Sequence, residues 1–193
     1  MMRVTQSCTG LLAALLLGGL ASPAEGQVAE RRVTLEARGG FNVPTFDISD
    51  AVNGGPSLGA GAGYQIAPRV WLLGDVDLGF HSGADLPGGG SGPDVNVYHY
   101  MGKVGYAVVP ESQASPWSVI VNAGAGAMTF SVDGGSSSTY PAINVGAKIG
   151  YRLNPRLSLV LSPQGDIAFS DEAEVGTSNS WVWPFTAGLR VGL

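Results

Sequence analysis

Between Ser180 and Leu193 the chain reads Ser-Trp-Val-Trp-Pro-Phe-Thr-Ala-Gly-Leu-Arg-Val-Gly-Leu, with an apolar residue at every second position. Trp181, Trp183, Phe185, Ala187, Leu189, Val191 and Leu193 fall on one face, and Val182, Pro184, Thr186, Gly188, Arg190 and Gly192 on the other. A period of two is that of a strand, in which successive side chains point to opposite sides. One face is apolar throughout and begins with aromatics; the other is small or polar and carries an arginine. A strand that is apolar outside and polar inside suits a closed barrel in lipid.

The beginning of the chain sets the compartment. Arg3, the apolar run Leu11 to Leu20 and the small residues Ala21-Ser22-Pro23-Ala24-Glu25-Gly26 read as a secretory signal peptide over 1–24, with cleavage after 24 or 26. The run is shorter than the ~20 apolar residues a spanning helix needs. Cys8, the only cysteine, precedes it, so the exported chain of 27–193 has no disulfide, thiol or cysteine-metal chemistry. Counted from Glu25, nine of the ten basic residues and all fifteen acidic ones remain, for a formal charge of −6. Nucleic acid is not an expected partner. Only 13% of residues are charged, yet no later apolar run is long enough for a membrane helix. That combination points to an all-β chain, an eight-stranded antiparallel up-and-down transmembrane barrel.

The same alternation recurs seven times before the last segment. Expected strands are Val33 to Phe41, Ser57 to Ile66, Val70 to Phe80, Val95 to Val108, a segment from Trp117 through Ala127, Tyr140 to Tyr151 and Leu157 to Phe169. In the third, Asp75 and Asp77 share a face opposite Leu72, Val76, Leu78 and Phe80, and carboxylates at alternate positions cannot face lipid cheaply. Pro141, Pro163 and Pro184 each remove a ladder donor. Connections after the second, fourth and sixth strands are short and hold Arg69, Glu111 and Arg156; the others are longer and rich in Gly, Ser and Asp. Short periplasmic turns and long extracellular loops are the expected orientation. Aromatics gather accordingly, with Tyr64, Tyr106, Trp117 and Tyr151 at the short-turn end and Phe41, Phe80, Tyr98, Phe169 and Trp181 at the other. Two such girdles mark the membrane boundaries. A soluble lipocalin-like barrel would instead need these faces exchanged.

The inward faces collect Glu36, Arg38, Asp75, Asp77, His99, Lys103, Lys148, Arg152, Asp166 and Arg190. An eight-stranded interior is just wide enough for side chains to fill, so these groups are expected to form a lumen network of mutual ion pairs. Inward glycines at Gly59, Gly61, Gly63, Gly124, Gly126, Gly146 and Gly150 would leave free volume, and a narrow path for small or hydrophobic solutes is the alternative. Catalysis is not expected. Lipid-modifying barrel enzymes such as outer-membrane deacylases separate a His and a Ser by one residue, whereas His81 and Ser82 are adjacent and point to opposite faces. His99 faces Asp75 and Asp77 across a hairpin, but a His-Asp pair alone is no triad. The long loops hold Asp47, Asp50, Asp85, Asp94, Asp133, Asp171, Glu172 and Glu174 without a single Lys or Arg. They cannot dock phosphates directly, although carboxylates suit divalent cations. No cofactor is implied.

The closing residues Gly188, Leu189 and Arg190, followed by Leu193, resemble the terminal Gly-Leu-Arg-x-x-aromatic signal of bacterial outer-membrane barrels, with leucine in the aromatic position. With the alternation, girdles and loop lengths, the whole exported chain resembles the small outer-membrane β-barrel family, the OmpA-like transmembrane domain and its relatives OmpX and OmpW. That resemblance implies outer-membrane residence in a Gram-negative envelope, contact with lipid and lipopolysaccharide, and delivery by periplasmic chaperones to the barrel assembly machinery. It also implies a part in envelope integrity, surface interaction or small-molecule passage. The chain ends with the barrel, so no appended peptidoglycan-binding domain is expected.

Overall fold

The computed structural model describes residues 32–86, 88–112, 114–170 and 179–193. The signal segment, and Asp171, Glu172 and Glu174, lie outside the described residues. Eight strands follow in chain order: β1 (Val33–Thr45), β2 (Gly55–Ala67), β3 (Val70–His81), β4 (Val95–Val109), β5 (Trp117–Val132), β6 (Ser137–Arg152), β7 (Leu157–Ala168) and β8 (Ser180–Gly192). Each pairs antiparallel with the next, and β8 returns to β1 to close the barrel. The seam runs from Thr34 opposite Gly192 to Thr45 opposite Trp181, and the Leu193 N–H donates to Val33 O at 2.9 Å. Closure leaves no edge strand to be satisfied by water, which is the condition for crossing lipid with strands.

The faces fall as the alternation requires. Leu58, Val76, Val104, Leu159 and Phe185 are exposed outward, while Glu36, Arg38, Asp75, Asp77 and Lys148 are buried inward. A soluble barrel with its aliphatic residues inside is thereby excluded. The girdle residues all lie on the outer face; Trp117 and Tyr151 are registered partners whose rings meet at 4.8 Å and 65°.

Strand ends differ from expectation in one informative way. The connection between β5 and β6 is only 133–136, not a long loop, because both strands continue past the expected limits. Met128 and Phe130 keep pointing inward there, while Thr129 and Thr139 hydroxyls pair across the hairpin at 2.8 Å and Ser137 with Ser131 at 3.0 Å. Hydroxyl pairs of this kind stabilise a ladder as apolar pairs do, without lipid contact. The connection 46–54 after β1 also has structure: a short 3-10 turn, Phe46–Asp50, folds Ile48 and Val52 into the mouth of the barrel. Val52 bridges to Gly83, and the Asn53 N–H donates to Ser82 O at 2.8 Å, which ties this connection to the end of β3.

Candidate functional site: a layered lumen

The charged residues meet in the barrel interior because five strands turn them to the same level. Arg38 on β1 sits at the centre. Its Nη1 donates to Glu36 and, at 2.9 Å, to Asp75; its Nη2 reaches both oxygens of Asp77 at 3.1 Å. Lys148 reaches across from β6, its Nζ 2.6 Å from Glu36 and 2.9 Å from Asp75. Lys103 on β4 lies 2.8 Å from the other Asp75 oxygen and donates to Gln164 Oε1 at 3.1 Å. Arg190 on β8 completes the layer, donating its Nε to Glu36 Oε1 at 2.8 Å. Lys148 is 1% exposed and Asp75 3%, so these charges are held away from water and depend on one another.

Space for the carboxylates comes from glycine. A Cβ on Gly59 would lie 1.9 Å from Asp77 Oδ1, and one on Gly61 2.3 Å from Asp75 Oδ1. The registered partners of these two aspartates are therefore the two residues that leave room for them. Gly146 stands in the same relation to Gln164, and Gly150 to Ser118. At Gly59, Gly61, Gly146 and Gly150 the expected free volume is thus occupied by side chains of neighbouring strands, and at Gly124 and Gly126 a Cβ would meet the backbone of β4.

A second polar group lies beside the first. His99 is opposite Asp77 in the β3–β4 register, yet its hydrogen bond goes across the lumen: Nδ1 is 2.7 Å from Asp166 Oδ2 on β7. Asn144 donates to the other Asp166 oxygen. A carboxylate acceptor fixes the ring proton on Nδ1. The expected hairpin partner is corrected because Asp77 is engaged by Arg38. Arg152 is the other correction: it stays out of the network, at the short-turn end, in a loose 3.6 Å contact with Glu111. It is the last residue of β6 and stands beyond the enclosed interior.

Towards the loop end the interior changes character. Val97, Met101, Met128, Phe130, Tyr140, Ala142, Ala168 and Val182 form an apolar layer, capped by Ile48 and Val52. Val97, Met128 and Val182 are fully buried. Val97, Met101 and Val182 of this layer were legible as inward-facing; Met128 and Phe130 lay beyond the expected end of β5, and the two residues from the connection after β1 had no periodic signal. His81 joins this end, not the rim: it is 2% exposed, with Nδ1 2.8 Å from Asn53 O, while Ser82 is exposed on the other side of the chain. A His-Ser pair for acyl chemistry is not assembled there. Among the described residues no group of three or more His, Asp or Glu side chains converges as a metal site. Asp94 accepts from the Gly83 N–H at 3.2 Å and Asp85 from Ser91 Oγ at 3.4 Å, so these loop carboxylates hold their own connection.

A closed barrel with aliphatic residues outside, aromatic girdles at both ends and compensated charges inside defines a transmembrane β-barrel. The model of the outer membrane protein beta-barrel domain family matches residues 11–192, and the chain belongs to that family and to the outer membrane. No curated protein matches the chain. Among solved structures it is similar to Neisserial surface protein A, NspA, at 21% identity and a TM-score of 0.65, covering 83% of this chain and 97% of that one. It is similar also to a major outer membrane protein from Thermus thermophilus, at 19% identity and a TM-score of 0.57, covering 83% and 98%. OprG from Pseudomonas aeruginosa follows at 14% identity and 0.53, covering 87% and 99%. At these identities the likeness is one of fold.

Proposed function

We propose that the protein is a structural, surface-displaying barrel of the outer membrane, exported by its signal peptide, handed by periplasmic chaperones to the barrel assembly machinery and seated among phospholipid and lipopolysaccharide. The long connections face the exterior, the short turns face the periplasm, and the barrel carries out no catalysis. The observation that supports this reading most is the interior: an ion-paired layer and an apolar layer lie in series. A wall filled twice over serves as a scaffold for the loops it carries. Cysteine labelling of intact cells tests the display. Ser136→Cys, in the 133–136 connection, should react with a membrane-impermeant maleimide, and Ser112→Cys, in the opposite turn, only after lysis. The reverse pattern would invert the orientation.

A second reading, passage of small apolar solutes through the wall, is favoured by one feature. The β6–β7 ladder is interrupted between Gly146/Gln164 and Ile149/Leu161, and the β7–β8 ladder between Pro163/Phe185 and Asp166/Val182. Both gaps flank the same stretch of β7, where Pro163 has no N–H to donate. Gln164 Nε2 bonds Ala147 O at 2.9 Å in its place, and the Trp183 ring covers Gly165 from outside. A disulfide between Ser162→Cys and Thr186→Cys, registered partners, would lock this seam. Uptake of a small apolar dye into vesicles that stops on oxidation and returns on reduction supports the conduit; uptake indifferent to the lock excludes this route.

A further inference from the structure

At the short-turn end the barrel opens into a cavity of about 750 Å³ that the ionic and apolar layers do not fill. Its size is that of small-molecule sites. Among the described residues, Arg32, Arg152, Arg156 and Arg190 line it together with one carboxylate, Glu111. This is an unusual concentration of positive charge in a chain whose formal net charge is −5. The opposite end contrasts with it: Asp47, Asp50, Asp85, Asp94 and Asp133 stand in the described connections there, with no lysine or arginine.

The remaining wall is mixed: Ile66, Pro68, Trp71 and Ala107 supply its apolar part, and Thr34, Gln65, Ser112 and Ser158 its polar part. Trp71 and Ala107 also belong to a small apolar group with Leu73 and Ile120. Arg152 and Glu111 are paired only at 3.6 Å and are 24% and 43% exposed in their side chains, an interaction that contributes little and is readily exchanged. Arg190 is different. It lines the cavity and also donates Nε to buried Glu36, so one guanidinium touches both the cavity and the ionic layer.

We infer that this cavity is a binding site for a small organic anion, a carboxylate or phosphate ester on an apolar or aromatic body. The arginines supply planar, fork-shaped donors that match carboxylate and phosphate oxygens, and the indole and proline wall takes the body. A naked inorganic anion would leave the apolar part of the wall without contact, and a neutral ligand would not draw Arg152 from its loose 3.6 Å contact with Glu111. The chemistry of the site does not depend on the display role. Only its placement in the periplasm rests on the orientation proposed above, which the maleimide labelling tests separately.

The experiment uses the full exported chain folded in octyl glucoside micelles, with 5-fluorotryptophan incorporated and the Trp71 fluorine signal assigned by Trp71→Phe. Phenyl phosphate and benzoate are titrated in turn, with benzyl alcohol as the neutral control. The site predicts a saturable shift of the Trp71 signal with either anion and none with the alcohol. Arg152→Gln with Arg156→Gln should weaken the better anion by about tenfold or more, the equivalent of one charge-assisted hydrogen bond. Heat-modifiable gel mobility of that variant verifies that the barrel is intact, and Glu111→Gln, which removes the competing carboxylate, should strengthen binding. Comparing the two anions identifies phosphate or carboxylate as the natural headgroup. No saturation, an equal response to benzyl alcohol, or a folded arginine variant with unchanged affinity would overturn the inference.

Discussion

The two halves of the lumen solve the same packing problem with opposite chemistry. In the half nearer the turns, Arg38, Lys103, Lys148 and Arg190 neutralise Glu36, Asp75 and Asp77 in a connected layer; in the half nearer the loops, Val97, Met128, Phe130 and Val182 fill the space with apolar side chains. The difference lies in what each tolerates. An apolar layer that loses a side chain leaves a cavity, whose cost scales with its volume. An ionic layer that loses one member leaves its partners charged and buried, a cost often larger than the pair's own net contribution. The apolar half closes the mouth; the ionic half joins strands that are not neighbours, since Arg38 on β1 reaches β3 and Lys148 on β6 reaches both.

The contrast is broken most strongly at Arg38. Arg38→Met should lower unfolding stability by about 4 kcal/mol, because Glu36, Asp75 and Asp77 lose their shared partner at once. Urea unfolding in detergent, followed by gel mobility of unboiled samples, measures it. Met128→Ala in the apolar half should cost about 3 kcal/mol by the same assay. It should leave the ionic layer intact. Asp166→Asn removes the charged acceptor of His99 while keeping the shape, and about 1–2 kcal/mol is expected. Asp85→Asn, on the exposed connection after β3, should change stability by less than about 0.5 kcal/mol. A larger loss for Asp85 than for Asp166 would mean that the loops, not the lumen, hold the barrel together.

How much of this was legible in the sequence follows from the range of each signal. Parity is carried by every second residue, so the inward set from Glu36 to Arg190 and the outward girdles from Phe41 to Trp181 could be read directly. Partnership is not carried that way. Hairpin register offers His99 the neighbouring Asp77, whereas its actual acceptor, Asp166, comes from β7 across the lumen, and nothing local encodes that contact. Arg152 has the right parity but stands too close to the strand end to be enclosed. The glycine stripe on β2 looked like empty space because its contents, Asp75 and Asp77, belong to the next strand. The prolongation of β5 and β6 was hidden by Ser and Thr, residues common in loops that here pair across a hairpin.

The central claim is that two unlike layers in series keep this lumen shut. Planar-bilayer recording of the folded wild-type protein at neutral pH tests it most directly, with Arg38→Met beside it. The account predicts a silent wild type, an Arg38→Met variant still closed by the apolar layer, and openings only when Arg38→Met is combined with Met128→Ala. A steady open-channel conductance from the wild type would contradict it, because ions would then be crossing both layers as they stand.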